Sequence, residues 1–416
     1  MQRLTVGLLM LFTFTVPWEY SLDAGEPFGN VARILGILLL LAAVPAVLMA
    51  REMRKPGLVQ WLALALYVYF ACSYFWTVEQ EATVEKMRAY FQVMMIVWIV
   101  WEVVKTPRHL RGMLRAFVAG CWVLAILTWL NWSSSSMAAA GQIRFAAEGQ
   151  DPNDVARFLD LGFAPAALLF ATETGWLARL LAIGYVPAGL LAMLLTASRG
   201  GFAAALAALL GSAILLVIWR PRAAAMVFVG LAVTVGALFL FVPAGSLDRL
   251  ATIPEQLSSG DLNERWNIWG AGWHAFTRAP WRGYGAGTFT TAAGLAAGDT
   301  AHNTAMAILV SGGLAATAIF TAILVGVARA IFRTKGLLRV ALWTTLAVWL
   351  IASMVGSVEE SRATWLLFGI MALAGRLESE QPETMMRMFS GRERWVLRAP
   401  AYADRWSGGS LRLPNG

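Results

Sequence analysis

The sequence predicts an all-α, polytopic integral membrane protein. Three observations lead there. The chain of 416 residues is 58% hydrophobic and 14% charged, with a mean hydropathy of +0.62, too apolar for a soluble domain of that size. Apolar runs long enough to cross a bilayer recur along most of its length. Between them, alternate loops are rich in Lys and Arg, as one side of a membrane requires.

Taken in order, the apolar runs give about twelve spans. They lie near 4–18, 31–50, 58–76, 90–104, 113–132, 155–171, 177–196, 202–219, 223–242, 303–328, 338–356 and 363–376. Arg3 followed by the run from Leu4 to Val16 has the first two regions of a signal peptide. Pro17, Trp18, Glu19 and Tyr20 offer no small-residue cleavage pattern, so the run is expected to be a first span.

Loop charges orient the bundle. Arg51, Arg54 and Lys55, then Lys105, Arg108 and Arg111, then Arg220 and Arg222, then Arg329, Arg333, Lys335 and Arg339 fall on one side, joined by the tail after Arg376. Glu19, Asp23 and Glu26, then Glu79, Glu81 and Glu85, then Glu359 and Glu360 fall on the other. Both termini are therefore expected in the cytoplasm, with a transmembrane domain over 1–377 and a cytoplasmic tail over 378–416. The outer face, which in a bacterium would be periplasmic, receives the long polar stretch that ends at Asn303, within a segment 243–303. Nucleoside triphosphates and nucleotide sugars stay on the other side, so chemistry on this face needs a donor already activated and membrane-bound.

Composition excludes other classes. The formal charge of +8 is that of cytoplasmic loops, and no nucleic-acid partner is expected. Cys72 and Cys121 stand inside apolar runs, where a thiol acts as a small hydrophobe.

Four places on the outer face carry groups that are costly near lipid. In GQDPNDVAR, Asp151 or Asn153 can cap the helix that follows Pro152. In TASRGG, Arg199 either snorkels to headgroups or binds a phosphate; an outer-side arginine runs against the charge bias, and a planar guanidinium suits a diphosphate. After Asp261 and Glu264, which stand in capping-box relation, Trp266, Trp269, Trp273 and Phe276 recur at helical spacing, as in an amphipathic helix lying in the interface plane. Arg265 beside this stripe is a solvated charge or a second phosphate contact, and His274 is structural. PWRGYGAGT, with Arg282, lacks a P-loop lysine and reads as a turn back to the bundle. In AHN, Asn303 caps the next span and His302 is either a loop residue or a general base with a pKa near 6.5. Glu359 and Arg362 mark the outer end between the last two spans. With no HExxH motif and no DxD-type pair on this face, no metal and no cofactor are expected.

The ordered set GQDPNDVA, TASRGG, ERWNIWGAGWHAF, APWRGYGAGTF and AHN resembles the O-antigen ligase and polymerase superfamily of bacterial membrane glycan transferases, over about 150–375. The resemblance implies transfer of a glycan from undecaprenyl diphosphate to an acceptor hydroxyl, without metal and with inversion. Arg199 and Arg265 match the arginines that contact the diphosphate, and His302 matches the acceptor-activating base. Asp151, Asn153, Arg282, Asn303, Glu359 and Arg362 are possible supporting residues. Thr304-Ala305-Met306 and Gly312-Gly313-Leu314-Ala315-Ala316 depart from the common pattern after the His-Asn pair, which leaves ligase and polymerase open. Lipid A-core and a second lipid-linked glycan are the corresponding acceptors, membrane lipids are further partners, and a protein O-glycosyltransferase is a more distant option. A lipid-linked oligosaccharide flippase is the competing class, set behind because flippases place polar groups and broken helices near the midplane.

Overall fold

A computed structural model describes residues 2–22, 25, 29–50, 53–135, 144–258, 265–296 and 298–391. In chain order the helices are α1 (Gln2–Thr15), α2 (Val31–Ala50), α3 (Leu58–Cys72), α4 (Gln80–Val103), α5 (Pro107–Ser135), α6 (Pro152–Thr172), α7 (Trp176–Leu195), α8 (Arg199–Trp219) and α9 (Ala224–Phe239). The short α10 (Ala244–Ala251) and α11 (Ile253–Ser258) follow, then α12 (Arg265–Arg278) and α13 (Phe289–Ala293). The last four are α14 (Thr304–Arg333), α15 (Gly336–Ser353), α16 (Arg362–Glu380) and α17 (Pro382–Phe389). The capping box expected at Asp261 and Glu264, and the tail beyond Gly391, lie outside the described residues.

A helix stands at each position where a span was expected, but the count of about twelve is not reached. Among the described residues eight helices are long and apolar enough to cross a membrane, or up to nine if α9 and the α10–α11 segment, bent by 117°, form one span. The shortfall has simple causes. The first helix has only 14 residues. Charged residues enter the ends of α4, with Glu81, Glu85, Lys86 and Arg88, and of α16, with Arg362, Arg376, Glu378 and Glu380.

The centre of the bundle is α6, whose apolar window is 94% buried among α5, α7, α8 and α15. Buried tryptophans Trp349 and Trp365 pack with Phe320 and Phe368 where α14, α15 and α16 meet. Polar contacts then gather at the two ends. At one end Arg115 forms a bidentate pair with Glu173 at 2.7 and 2.5 Å, and Arg54 binds Glu102 through its backbone and the carbonyls of Trp101 and Val104 through its guanidinium. The candidate residues sit at the other end, where helices α6, α8, α14 and α16 begin and α7 and α15 finish.

One helix there is broken. Gly313 adopts φ 62 and ψ −163 inside α14, a conformation open to glycine. The turn from Pro280 to Gly285 docks on the break. Leu314 and Ala315 donate from their amides to the carbonyls of Pro280 and Trp281 at 2.8 and 3.2 Å, while Tyr284 and Gly285 donate to the carbonyls of Val310 and Ser311 at 3.1 and 2.9 Å. The Tyr69 hydroxyl closes the joint on the carbonyls of Arg282 and Gly312 at 3.1 and 2.9 Å. The amides of Leu314 and Ala315 and the carbonyls of Val310, Ser311 and Gly312 thus find partners, as a buried break requires.

A Cβ at Gly313 would lie 2.6 Å from the Trp281 carbonyl carbon and oxygen. Gly313→Ala is expected to destabilise the protein by about 2 kcal/mol or more, read as a lower melting temperature in detergent; an unchanged melt would show that the turn is not held by this joint.

Candidate functional site

The site starts from the cap of α6. Asp151 accepts the Asn153 amide at 2.8 Å and Pro152 takes the first helical position, where its missing N–H costs nothing. Of the two candidate caps it is therefore Asp151 that closes the helix. The Asn153 side chain does something else: its Oδ1 accepts from Arg144 Nη2 at 2.9 Å and from the Ser198 hydroxyl at 2.8 Å. This ties α6 to the turn between α7 and α8.

That turn is tight and well supported. Ala197, fully buried, takes a left-handed φ of 47, a strained state for a residue with a Cβ. Its carbonyl accepts from Arg249 Nε at 3.2 Å, and the neighbouring Thr196 carbonyl accepts from Arg144 Nε at 3.2 Å. Ser198 caps α8 by accepting the Gly201 amide at 3.2 Å. Arg199 is then the first residue of α8 and donates to the Thr252 hydroxyl at 3.2 Å.

Arg265, the first residue of α12, comes to the same place. Burial lowers its pKa, and so does the Arg199 charge, with Asp151 pulling the other way. The guanidinium of Arg144 is lowered in turn by burial, then by Arg249, with smaller contributions from Arg199 and Arg265 and opposition from Asp151. Four arginines thus share one field: Arg144, Arg199, Arg249 and Arg265. Two of them, Arg199 and Arg265, are expected from the sequence. The signal that singled out Arg199, an arginine on the acidic side of the membrane, also marks Arg144 and Arg249.

His302 stands beside this group. Its φ is 44, and both its neighbours are pinned. The Trp269 indole of α12 donates to the Ala301 carbonyl at 2.9 Å. Asn303 caps α14 by accepting the Met306 amide at 3.0 Å, and its Nδ2 donates to the Met354 carbonyl at 3.3 Å. The imidazole is half-buried, and burial lowers its pKa; Arg265 lowers it further, against Asp151, Asp299 and Asp154. A neutral imidazole at neutral pH is able to accept a proton.

Next to His302 opens a cavity of about 320 Å³. Asp151, Asn153, Asp154 and His302 form one part of its lining, Ser357, Glu359, Glu360 and Lys86 another, and the rings of Phe70, Tyr90 and Phe289 line it as well. Glu360 pairs with Lys86 and Asp154 with Arg157 at 3.0 Å. Glu359 is only 8% exposed. Burial, with the Glu360 charge added, pushes its carboxyl up to about 7 against its own backbone, Lys86 and Thr304.

Two supporting candidates are placed elsewhere. Arg362 is engaged by buried Glu19 at 2.5 Å and by Gln92 at 3.3 Å, a strut between α16, α4 and the end of α1. Arg282 lies over the Trp76 ring at 6.0 Å, with its carbonyl in the α14 joint. The glycine-rich turn around it is a docking device, as its lack of a P-loop lysine suggested. In the aromatic stripe of α12, Trp266 and Trp273 are 59% and 53% exposed, while Trp269 is turned to the Ala301 carbonyl; His274 is exposed. Among the described residues no group of three or more His, Cys, Asp or Glu is placed to hold a metal ion.

Residues 184–321 match a family model described as O-antigen ligase. The match runs from α7 into α14, so it covers Arg199, Arg265 and His302 and supports the resemblance to the O-antigen ligase superfamily; Asp151, Asn153, Glu359 and Arg362 fall outside it. No curated protein matches the chain.

The raised carboxyl has a consequence for stability. Folded Glu359 holds its proton up to about pH 7, whereas the unfolded group releases it near 4.5, so the stability it contributes is complete below about pH 4.5 and lost as pH rises through about 7. Glu359→Gln is expected to melt with the wild type near pH 5 and a few degrees above it near pH 8. Parallel melting curves across that range would refute the assignment.

Proposed function

We propose that the protein transfers a glycan from undecaprenyl diphosphate to an acceptor hydroxyl at the periplasmic face of a bacterial inner membrane, as an O-antigen ligase acting on lipid A-core. One observation carries the reading: His302 stands between a cluster of four arginines and a polar cavity, at a single end of a helical membrane bundle. The O-antigen ligase match over the segment that holds Arg199, Arg265 and His302 supports it.

The chemistry follows from that division. A diphosphate leaving group gains negative charge as the C1–O bond breaks, and guanidiniums fixed in a half-buried site stabilise that charge without reorganising. Arg199 and Arg265 are the proposed contacts, and no metal is assigned a role. Arg144 and Arg249 hold the turn that aims Arg199, and Asn153 locks the same turn to α6. On the other side, the His302 imidazole takes the proton of the acceptor hydroxyl as its oxygen bonds to C1. The electron pair of the broken bond leaves with the diphosphate, and a single displacement inverts the anomeric carbon. The exposed Trp266 and Trp273 suit α12 to lie at the lipid surface, next to the donor's headgroup.

A polymerase that extends a second lipid-linked glycan would use the same donor chemistry and differ only in acceptor. A flippase places its polar groups and broken helices near the midplane. The break in α14 is of that kind, but the Pro280–Gly285 turn fills it, and the charged groups gather at one end of the bundle.

Purified protein in nanodiscs with an undecaprenyl-diphosphate-linked glycan and lipid A-core tests the reaction. Arg199→Ala, Arg265→Ala and His302→Asn, the last chosen because Asn tolerates φ above zero, are each expected to lose about a hundredfold or more in kcat/KM. Full activity in any of them would refute that residue's role, and lipid movement across the bilayer without transfer would favour the flippase. Protonation of the His302 imidazole should also place the acid limb of the wild-type pH–rate profile below 6.5, since its pKa is lowered from that value; a limb at or above 6.5 would contradict a neutral base in this setting. In cells, deletion should leave long O-chains on undecaprenyl diphosphate if the protein is a ligase, and single-repeat products if it is a polymerase.

A further inference from the structure

The cavity beside His302 is built differently from the arginine cluster. Four carboxyl groups line it, from Asp151, Asp154, Glu359 and Glu360, against the single lysine Lys86. Lys86 and Arg157 offset Glu360 and Asp154, and Glu359 is part-protonated near neutral pH. The excess negative charge that disfavours an anionic diphosphate there is therefore chiefly that of Asp151, joined by Glu359 as it ionises. Two buried oxygens on its wall, Glu359 Oε2 and Ser357 Oγ, have no hydrogen-bond partner within the protein. Such groups are costly unless a ligand or water satisfies them, and Glu359 is more than nine-tenths buried at 8% exposure.

The rest of the wall has a matching chemistry. Phe70 and Tyr90 stack at 4.7 Å, and Phe289 contributes a third ring. Aromatic faces receive the C–H side of a sugar ring, while a carboxylate and a hydroxyl receive its edge. At about 320 Å³ the space is at the small end of ligand pockets, a match for one ring and not for an oligosaccharide.

We infer that this cavity is the subsite for the acceptor's reacting sugar: Glu359 and Ser357 hold hydroxyls of the ring whose neighbouring hydroxyl faces His302, and the carboxylate wall selects a neutral or amino-bearing ring over an anionic one. The inference rests on the transferase reading above and adds to it the residues and the charge of the acceptor. Ser357 and Glu359 lie on the loop between α15 and α16, outside the region of the O-antigen ligase match. Asp151, Asp154 and Asn153 enter from the N-terminus of α6, so acceptor binding joins two helix ends that the donor-side arginines do not.

Sugar binding can be read without any transfer. Saturation-transfer NMR on the full protein in nanodiscs, with methyl glucoside, methyl glucosaminide and glucuronate as probes, is expected to show the first two binding at least about tenfold more tightly than the third. Ser357→Ala and Glu359→Ala, each checked by a melting curve, should weaken both by about tenfold or more. Glu359→Gln, which keeps the shape, should narrow the preference against glucuronate above about pH 7, where the native carboxyl is ionised. Wild-type affinity in both alanine variants, or equal binding of glucuronate by the wild type, would overturn the inference. The two readings separate cleanly. Sugar binding as expected with no transfer from the lipid diphosphate leaves the subsite and removes the reaction; transfer with a raised KM for donor and not for acceptor in Glu359→Ala leaves the reaction and removes the subsite.

Discussion

Where α14 breaks at Gly313, backbone amides and carbonyls are freed in a buried stretch of the helix, and the turn from Pro280 to Gly285 binds them. This exchange of hydrogen bonds is the constraint on which the candidate site depends. It fixes the middle of the long segment between α11 and α14 to the bundle, so the two arms on either side, α12 and the stretch through His302, start from a set position. The Trp269 bond to the Ala301 carbonyl then ties those arms to each other. A break that could weaken the helix becomes the socket that holds the site.

A second ordering principle is separation of charge about His302. Arginines from the loop before α6, the start of α8, α10 and the start of α12 meet on one side; carboxylates from α6 and from the α15–α16 loop line the other. Asp151 belongs to both fields, capping α6 while acting on Arg265 and His302. The result is a neutral imidazole between two environments of opposite sign, the arrangement that a reaction joining an anionic donor to a polyol needs.

Much of this was legible in the sequence. Apolar runs located every major helix, because burial in a bundle or in lipid leaves a composition signal that does not depend on partners. Arg199, His302 and the Asp151 cap stood out for a related reason, each being a polar group at the end of an apolar run, and Arg265 because it stands beside the aromatic stripe of α12. Arg144 and Arg249 were missed, since their roles are set by carbonyls of a turn distant in sequence, Thr196 and Ala197. For Arg362 and Arg282 the sequence shows a charge but not its partner, here Glu19 and the Trp76 ring. The number of spans is less legible than the number of helices, as a periodic apolar face and a fully apolar helix differ only in how much charge their ends admit.

The helix α9 has 16 residues and none of them is buried, and it is followed by the bend that carries Arg249 and Thr252 toward Arg199. A helix of that length rises about 24 Å, against about 30 Å of hydrocarbon. Crossing a bilayer, it would draw the leaflets together around itself, since no tilt can make up for a deficit in length. That mismatch would fall beside the arginines, so a lipid phosphate arriving there would have a shortened climb out of its own leaflet.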